Sequence, residues 1–270
     1  MMFFFRLAAF IRKNFLVNVS YRLFFVLNLL GAVASVLTFY FIAKMLGRGI
    51  SPYLKEYHGE YFPYVLLGLA FYNYLSLSLK TFSVSLREEQ VTGTLEAVFL
   101  APLKIPVLII CLPCWDFIFN SLNAFFCLLF GIYFLGARFI APNLPAVFLI
   151  ISLTIISSFA VGIISAAFIM VFKRGDPVVW IISLVSGIFG GVYFPVSVLP
   201  EKLRFISHLL PITYSLEALR NAMIKGYGLR ELLPAIAVLA MFCLVLLPSS
   251  ILIFWFAVKK TKASGSLVYY

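Results

Sequence analysis

The sequence has few charged residues, and this shortage excludes a water-soluble globular protein. Charged side chains make up 11% of the 270 residues, whereas a soluble domain has about 25%. Hydrophobic residues make up 63%, and the mean hydropathy is +1.08. Because most side chains therefore need an apolar solvent, we expect an all-α integral membrane protein. We expect one membrane-embedded domain over residues 1–270, with no appended soluble domain.

The sequence also lacks the short motifs of common enzymes. It has no G-x-x-x-x-G-K-[ST] loop, so we do not expect the chain to hydrolyse ATP by itself. Its two histidines, His58 and His208, are too few for an H-E-x-x-H zinc site, and no G-x-S-x-G element occurs. We therefore predict no catalytic residue and no metal site in this chain.

The net charge of +11 indicates contact with lipid headgroups rather than with nucleic acid. The basic residues are spread along the chain at the ends of apolar runs, where they face anionic lipids and orient the protein. More of the 21 basic residues fall on one side of the membrane when both termini are cytoplasmic. We therefore predict a multi-pass protein of the cell membrane with cytoplasmic N- and C-termini.

Long uncharged runs predict six transmembrane helices, because a charge at the bilayer centre costs about 2.5–3.5 kcal/mol. The predicted spans are residues 22–44, 61–80, 106–135, 146–172, 178–194 and 232–258. Residues 1–21 resemble an amphipathic helix that lies in the membrane interface, although a signal peptide is the alternative.

Prolines interrupt the chain between the fifth and sixth predicted spans. Mixed apolar and charged positions at helical spacing predict two short amphipathic helices, at about residues 201–210 and 214–225. Thr213 or Ser215 is the predicted N-cap of the second helix, and Gly226 its predicted C-cap.

Polar residues inside predicted spans are candidates for transport chemistry. Asp116 is an acid within the third span, and such a carboxylate indicates either ion coupling or simple hydration near the headgroups. Tyr64, Tyr72 and Tyr74 in the second span are candidates for a central substrate path, although aromatic residues more often pack between helices.

The connection at residues 87–102 combines charged and apolar residues. Its charges place it in water, whereas Leu95, Val98 and Phe99 are too apolar for a free loop. The pattern predicts a short cytoplasmic amphipathic helix that begins near Gly93 and stops at Pro102. Such a helix docks on a partner protein or lies on the membrane.

Three motifs resemble those of the permease subunits of ABC exporters of the ABC-2 type. The first is EQVTGTLE at residues 89–96, followed by Pro102. The second is GGVYFP at residues 190–195, followed by Leu199-Pro200, and the third is LPITY at residues 210–214, which leads to Arg220 and Gly226. Their order, together with six predicted spans, extends the resemblance over nearly the whole chain.

The resemblance implies a membrane subunit that pairs with two separate ATP-binding subunits and with a second permease, with a homodimer favoured. ATP and Mg²⁺ would then bind in the partner subunit and not in this chain. The resemblance implies a coupling helix that contacts the ATPase, with candidate residues Glu88, Glu89, Gly93, Thr94, Leu95, Glu96 and Pro102. It also implies re-entrant helices that close the outer end of the path, with candidate residues Phe194, Pro195, Pro200, Pro211, Tyr214 and Arg220.

The function predicted from these features is ATP-driven export of a lipophilic or amphiphilic compound, such as a drug-like molecule, a lipid or a lipid-linked glycan. A secondary transporter coupled to an ion gradient through Asp116 is the alternative. A scaffold without transport activity is a third reading. Dependence of transport on a proton gradient would identify the secondary transporter. The absence of any nucleotide-dependent movement would identify the scaffold.

Overall fold

The computed structural model of the chain describes residues 11–12, 15–16, 22–47, 54, 57, 60–91, 114–140, 143–172 and 177–263. The predicted interfacial helix over residues 1–21 falls almost entirely outside these ranges. Most of the predicted coupling segment, including Gly93, Thr94, Leu95, Glu96 and Pro102, falls outside them as well.

The described part of the chain is helical and contains no β-strand. The helices are, in chain order, α1 (Arg22–Leu46), α2 (Tyr61–Val91), α3 (Cys114–Tyr133), α4 (Leu144–Phe172), α5 (Pro177–Phe189), α6 (Glu201–His208), α7 (Pro211–Met223) and α8 (Leu229–Ala263). A short 3₁₀ turn, Val196–Val198, lies between α5 and α6.

The second helix is much longer than the predicted span. The sequence placed its end near Lys80, whereas α2 continues through Arg87 to Val91. A charge marks where a helix leaves the hydrocarbon, but charged residues are good helix formers and do not end the helix itself. Glu88 and Glu89, expected in a separate connection, therefore belong to the last turns of α2.

The start of α4 also differs from the predicted start of the fourth span at residue 146. Pro145 was expected to lie outside the helix, but it occupies the first turn, where a missing N–H costs no hydrogen bond. The side chain of Asn143 accepts a hydrogen bond from the Ala146 N–H at 3.3 Å. Asn143 thus caps the helix, which starts two residues before the predicted boundary at residue 146.

The fifth helix is shorter than predicted and the last helix is longer. Helix α5 ends at Phe189 rather than at residue 194, because the chain turns at the glycine pair Gly190 and Gly191. Helix α8 begins at Leu229 and contains Pro234 and Pro248. Proline inside a membrane helix is tolerated when neighbouring groups satisfy the freed carbonyl.

Three helical stretches are long and apolar enough to cross a membrane by length and composition. They are Val26–Leu46, Leu144–Phe172 and Leu229–Thr261, and shorter apolar helices cover Ile118–Tyr133 and Val178–Phe189. The chain is thus a multi-pass membrane protein, while the number of six spans remains a prediction.

Helix α2 lies at the centre of the packing although it is less apolar than its neighbours. Its residues Leu67, Phe71 and Leu75 are buried in one core with Ile150 of α4 and Leu216 of α7. Helix α1 packs in a second cluster, in which Ala32 and Val36 are buried together with Leu66 of α2 and Cys127 of α3. A helix surrounded by protein needs less apolar surface than one that faces lipid, which explains the composition of α2.

Candidate functional site

The turn after α5 is built from two glycines that accept no side chain. Gly191 has φ +76°, a conformation that L residues rarely adopt. A Cβ atom on Gly190 would lie 2.7 Å from Cγ2 of Ile212 and would also collide with the Ser186 carbonyl. The pair therefore brings the end of α5 directly against the beginning of α7.

Arg220 of α7 is buried beneath this turn, with only 2% of its surface exposed. Its Nη1 donates a hydrogen bond to the Gly191 carbonyl at 2.7 Å, and its Nη2 donates to the Val192 carbonyl at 3.1 Å. Its Nε and Nη2 also donate to the carbonyl oxygen of Tyr64, at 3.3 and 3.2 Å. One guanidinium group thus joins α2, the turn after α5, and α7.

The ring of Tyr64 completes the arrangement. Cζ of Arg220 lies 3.4 Å from the centroid of this ring, a cation–π contact. The Tyr64 hydroxyl donates a hydrogen bond to the Gly191 carbonyl at 3.0 Å. On the next turn of α2, a Cβ on Gly68 would collide with the Val192 carbonyl oxygen and approach Nη2 of Arg220 to 2.9 Å. We call Tyr64, Gly68, Gly190, Gly191, Val192 and Arg220 the Arg220 site.

The electrostatics of the Arg220 site depend on backbone dipoles. Burial lowers the pKa of the Arg220 guanidinium, and nearby tyrosines and Glu217 act in the opposite direction. Its hydrogen bonds to Gly191 and Val192 go to carbonyl oxygens that follow the C-terminal end of α5, where the helix dipole favours a cation. A guanidinium keeps its proton in such a position, so it works as a permanent cross-link and not as an acid or base.

The segment between α5 and α7 is held by further contacts to its own backbone. Arg204 donates from Nη2 to the Ser197 carbonyl at 2.7 Å and from Nε to the Leu199 carbonyl at 2.9 Å. The Tyr214 hydroxyl donates to the His208 carbonyl at 3.2 Å. The two predicted amphipathic helices are therefore present, as α6 and α7, and form a compact pair.

The predicted caps of α7 were wrong. The N-cap is Leu210, and Pro211 is the first helical residue, because a proline there has no N–H to satisfy. The Ser215 hydroxyl instead donates to the Pro211 carbonyl within the helix and lies 2.7 Å from the Thr154 hydroxyl of α4. The C-cap is Ile224, and Gly226 lies two residues further on with φ +71°.

The other predicted outer residues differ in burial. Phe194 is half-buried and Pro195 is buried directly after the glycine turn, whereas Pro200 is exposed at the start of α6. Of the six residues predicted for the outer gate, Arg220 alone is a member of the Arg220 site. The sequence analysis did not identify Gly68 as a functional residue. The one signal for it was a glycine among the large apolar residues of α2.

The candidate path residues have different surroundings. Tyr64 is 1% exposed and packs under Arg220, so the suggestion that it faces a path was wrong. The hydroxyl of Tyr72 donates to the Ser183 carbonyl at 3.0 Å, which joins α2 to α5. The side chains of Tyr74 and Asp116 lie outside the described residues.

An aromatic row connects α1 to the same turn. The Tyr193 ring stacks on Phe39 of α1 with centroids 5.5 Å apart, and it lies 6.3 Å from the ring of Tyr72. Tyr193 follows the glycine pair directly along the chain. The turn after α5 therefore contacts α1, α2 and α7 at once.

Comparison with known proteins agrees with the motifs. The family model described as ABC-2 type transporter matches residues 6–224. This match covers more than half of the chain and includes α1 to α7 with the whole Arg220 site. No curated protein matches the chain.

Proposed function

This chain belongs to the ABC-2 type transporter family, and we propose that it is the permease of an exporter driven by ATP hydrolysis in separate subunits. The family match over residues 6–224 is the observation that carries the proposal. We propose two ATP-binding subunits and two copies of this chain in the working complex. ATP and Mg²⁺ bind in the ATPase, and this chain converts the movement of the ATPase into transport.

The length of α2 supports a contact with a soluble partner. Its 31 residues extend about 46 Å, whereas the hydrocarbon core is about 30 Å thick. We propose that the C-terminal turns of α2, which contain Arg87, Glu88 and Glu89, extend beyond the hydrocarbon. They lead towards the proposed coupling helix at residues 93–102.

The opposite end of α2 supports a mechanical link to the outer helices. Tyr64 lies near the start of α2 and is bound to Arg220 and Gly191. From Tyr64 to Val91 the helix extends about 40 Å at 1.5 Å per residue. We propose that α2 is the rod that transmits ATPase movement from the coupling segment to α7.

The mechanism follows from this connection. ATP binding draws the two ATPases together, and each coupling segment moves with its ATPase. Because Arg220 fastens α2 to the turn after α5 and to α7, a displacement of α2 moves these elements as one body. Nucleotide shifts the permease only by the difference in its binding free energy between the two states, so a stiff connection is required.

We propose that the transported compound is lipophilic or amphiphilic. The large apolar surface of the helices supports this, since side chains such as Leu122 and Trp180 are exposed by 61% and 67%. A substrate that is already dissolved in the bilayer can reach such surfaces without crossing water. Drug-like molecules, lipids and lipid-linked glycans share this property.

Purification of the full chain with its ATPase, followed by reconstitution in proteoliposomes, tests the proposed function. We expect an ATPase to co-purify, and we expect ATP hydrolysis and export of an amphiphilic probe to stop together when nucleotide is omitted. Transport that follows a proton gradient without any ATPase, and that is lost in Asp116→Asn, would overturn the proposal in favour of a secondary transporter.

A further inference from the structure

The last turns of α8 have two faces of different character. Phe254, Ala257 and Val258 are buried against the rest of the bundle. On the other face, Trp255 and Phe256 are exposed by 48% and 61%. Because α8 is one of the long apolar helices of a membrane protein, this exposed aromatic face is available to lipid.

Two lysines continue the exposed face at the end of the apolar run. No charged residue lies between Glu231 and Lys259, which is followed directly by Lys260. Both lysines are exposed. Residues four positions apart share a face of an α-helix, so Lys259 extends the face of Trp255, and Lys260 extends the face of Phe256. The positive charges therefore begin one helical turn beyond the aromatic rings, on the same side of α8.

A contact between side chains shows where one of these lysines points. Nζ of Lys259 lies 5.4 Å from the centroid of the Trp255 ring, a cation–π contact. The Phe256 ring meets the Trp255 ring edge to face, with centroids 5.1 Å apart. Tryptophan is enriched at the boundary between hydrocarbon and water, because its ring is apolar and its N–H is polar. With Trp255 at that boundary, the ammonium group of Lys259 lies at the level of the lipid phosphates.

The charge and the apolar surface of this face together restrict its occupant. A phosphatidylcholine headgroup carries a choline cation beside its phosphate, whereas phosphatidylglycerol has a net negative charge. Each lysine close to an anionic membrane surface favours binding by about fivefold. A soluble anion such as inorganic phosphate has no acyl chain to cover Trp255 and Phe256. The combination of two ammonium groups with two exposed rings therefore selects an anionic lipid.

We propose that the C-terminal end of α8 binds an anionic phospholipid. The phosphate of the headgroup lies at Lys259 and Lys260, and the upper part of an acyl chain packs against Trp255 and Phe256. This is a discrete site, in contrast to the general attraction of the 21 basic residues to the membrane surface. It is independent of the proposed function, because it requires neither the ATPase nor transport.

The fluorescence of Trp255 reports on the lipid beside it. The sequence has three tryptophans, so Trp115→Phe combined with Trp180→Phe leaves Trp255 alone. This full-length protein is reconstituted in phosphatidylcholine vesicles that contain a small fraction of brominated phosphatidylglycerol or brominated phosphatidylcholine, with the bromine atoms close to the headgroup. Bromine quenches tryptophan only at short range. We expect the brominated phosphatidylglycerol to give half-maximal quenching at a roughly three- to tenfold lower fraction than the brominated phosphatidylcholine.

Variants at the lysines separate the charge from the apolar contact. In Lys259→Gln combined with Lys260→Gln, we expect the two brominated lipids to quench equally, with quenching by phosphatidylcholine unchanged. The matched control is Arg230→Gln, at an exposed basic position near the other end of α8, which should keep the preference for phosphatidylglycerol. Sodium chloride at about 1 M should weaken the preference, because salt screens exposed charges.

Equal quenching by the two lipids while both lysines are present overturns the proposal. It is also overturned if neither lipid quenches, since another protein surface then covers this face, or if soluble glycerol phosphate abolishes the preference, since the site then takes a free anion. If the protein with Trp255 alone does not fold, the unmodified protein is compared with the double lysine variant, and the lysine-dependent part of the quenching gives the same answer. A missing ATPase partner would overturn the proposed function and leave these results unaffected.

Discussion

Arg220 lies over the ring of Tyr64, 156 residues away in the chain, with its Cζ 3.4 Å from the ring centroid. The same guanidinium donates hydrogen bonds to the carbonyl oxygens of Tyr64, Gly191 and Val192. A buried arginine bound by backbone carbonyls is a rigid joint, since its planar group holds several N–H donors in one fixed geometry. This joint connects α2 to the helices that the family resemblance assigns to the outer gate.

Replacement of the guanidinium should weaken the joint even when the charge is kept. Arg220→Lys offers one ammonium group in place of the fork, so it leaves carbonyl oxygens unpaired, at a cost of roughly 3 kcal/mol. We expect a clearly lower thermal unfolding midpoint in detergent and reduced export. Arg230→Lys, at an exposed position on α8, is the control and should unfold like the unmodified protein. Equal midpoints for both variants would contradict the importance of the joint.

The close approach of α2 to the glycine turn should not tolerate a methyl group. Gly68→Ala places a Cβ against the Val192 carbonyl oxygen and Nη2 of Arg220, and backbone atoms move aside only at a cost of about 1–3 kcal/mol. Gly31→Ala is the matched control, because nothing lies within 4 Å of its added Cβ. We expect Gly31→Ala to raise the unfolding midpoint slightly, since alanine favours a helix. A Gly68→Ala protein as stable as Gly31→Ala would show that the two elements do not pack so closely.

The hydroxyl of Tyr64 should contribute separately from its ring. Tyr64→Phe keeps the face under Arg220 but removes the bond to the Gly191 carbonyl, so we expect a loss of about 1 kcal/mol. Tyr64→Leu also removes the cation–π contact and should be less stable still. Tyr133→Phe, at a position exposed by 78%, should have no effect. The order of the three unfolding midpoints tests these contributions. A Tyr64→Leu protein no less stable than Tyr64→Phe would show that the cation–π contact does not contribute to stability.

The proposed coupling segment should be separable from folding. We expect Gly93→Pro and Glu96→Arg to insert normally and retain their unfolding midpoints while ATP-driven export falls to background. Proline restricts the backbone where the segment begins, and a reversed charge disturbs docking on the ATPase. Glu201→Arg, an exposed acid at the start of α6, is the control for charge reversal. Normal export by both coupling variants would count against this role for residues 93–102.

The helical elements were largely predictable, because apolar runs and prolines act over short distances along the chain. The helix boundaries were less predictable where a helix continues beyond the apolar residues of its span. Lys80 ends the apolar part of the second span, but its charge does not prevent eleven further helical residues up to Val91. The predicted N-cap of α7 was wrong because a proline is also favoured in the first turn of a helix. The helix therefore begins at Pro211, before Thr213 and Ser215.

The Arg220 site could be predicted only in part. The pair Gly190 and Gly191 stood out as a motif, and Arg220 was a candidate gate residue on an amphipathic helix. Composition favours water around an arginine on such a helix, whereas the structure buries it completely. The sequence around Arg220 does not indicate which carbonyl groups replace water, because these groups belong to α2 and to the turn after α5.

The sequence alone determines that this chain belongs in a membrane, because too few polar side chains exist to cover a soluble globule, and this follows from composition in any fold. It also indicates the turn at Gly190 and Gly191 and the break before α7, since glycine permits a positive φ and proline lacks the N–H of a continuing helix. Only the tertiary structure decides that Tyr64, Gly191 and Arg220 meet. Those contacts depend on how distant helices approach one another, and the free energy of that approach is a property of the packed bundle.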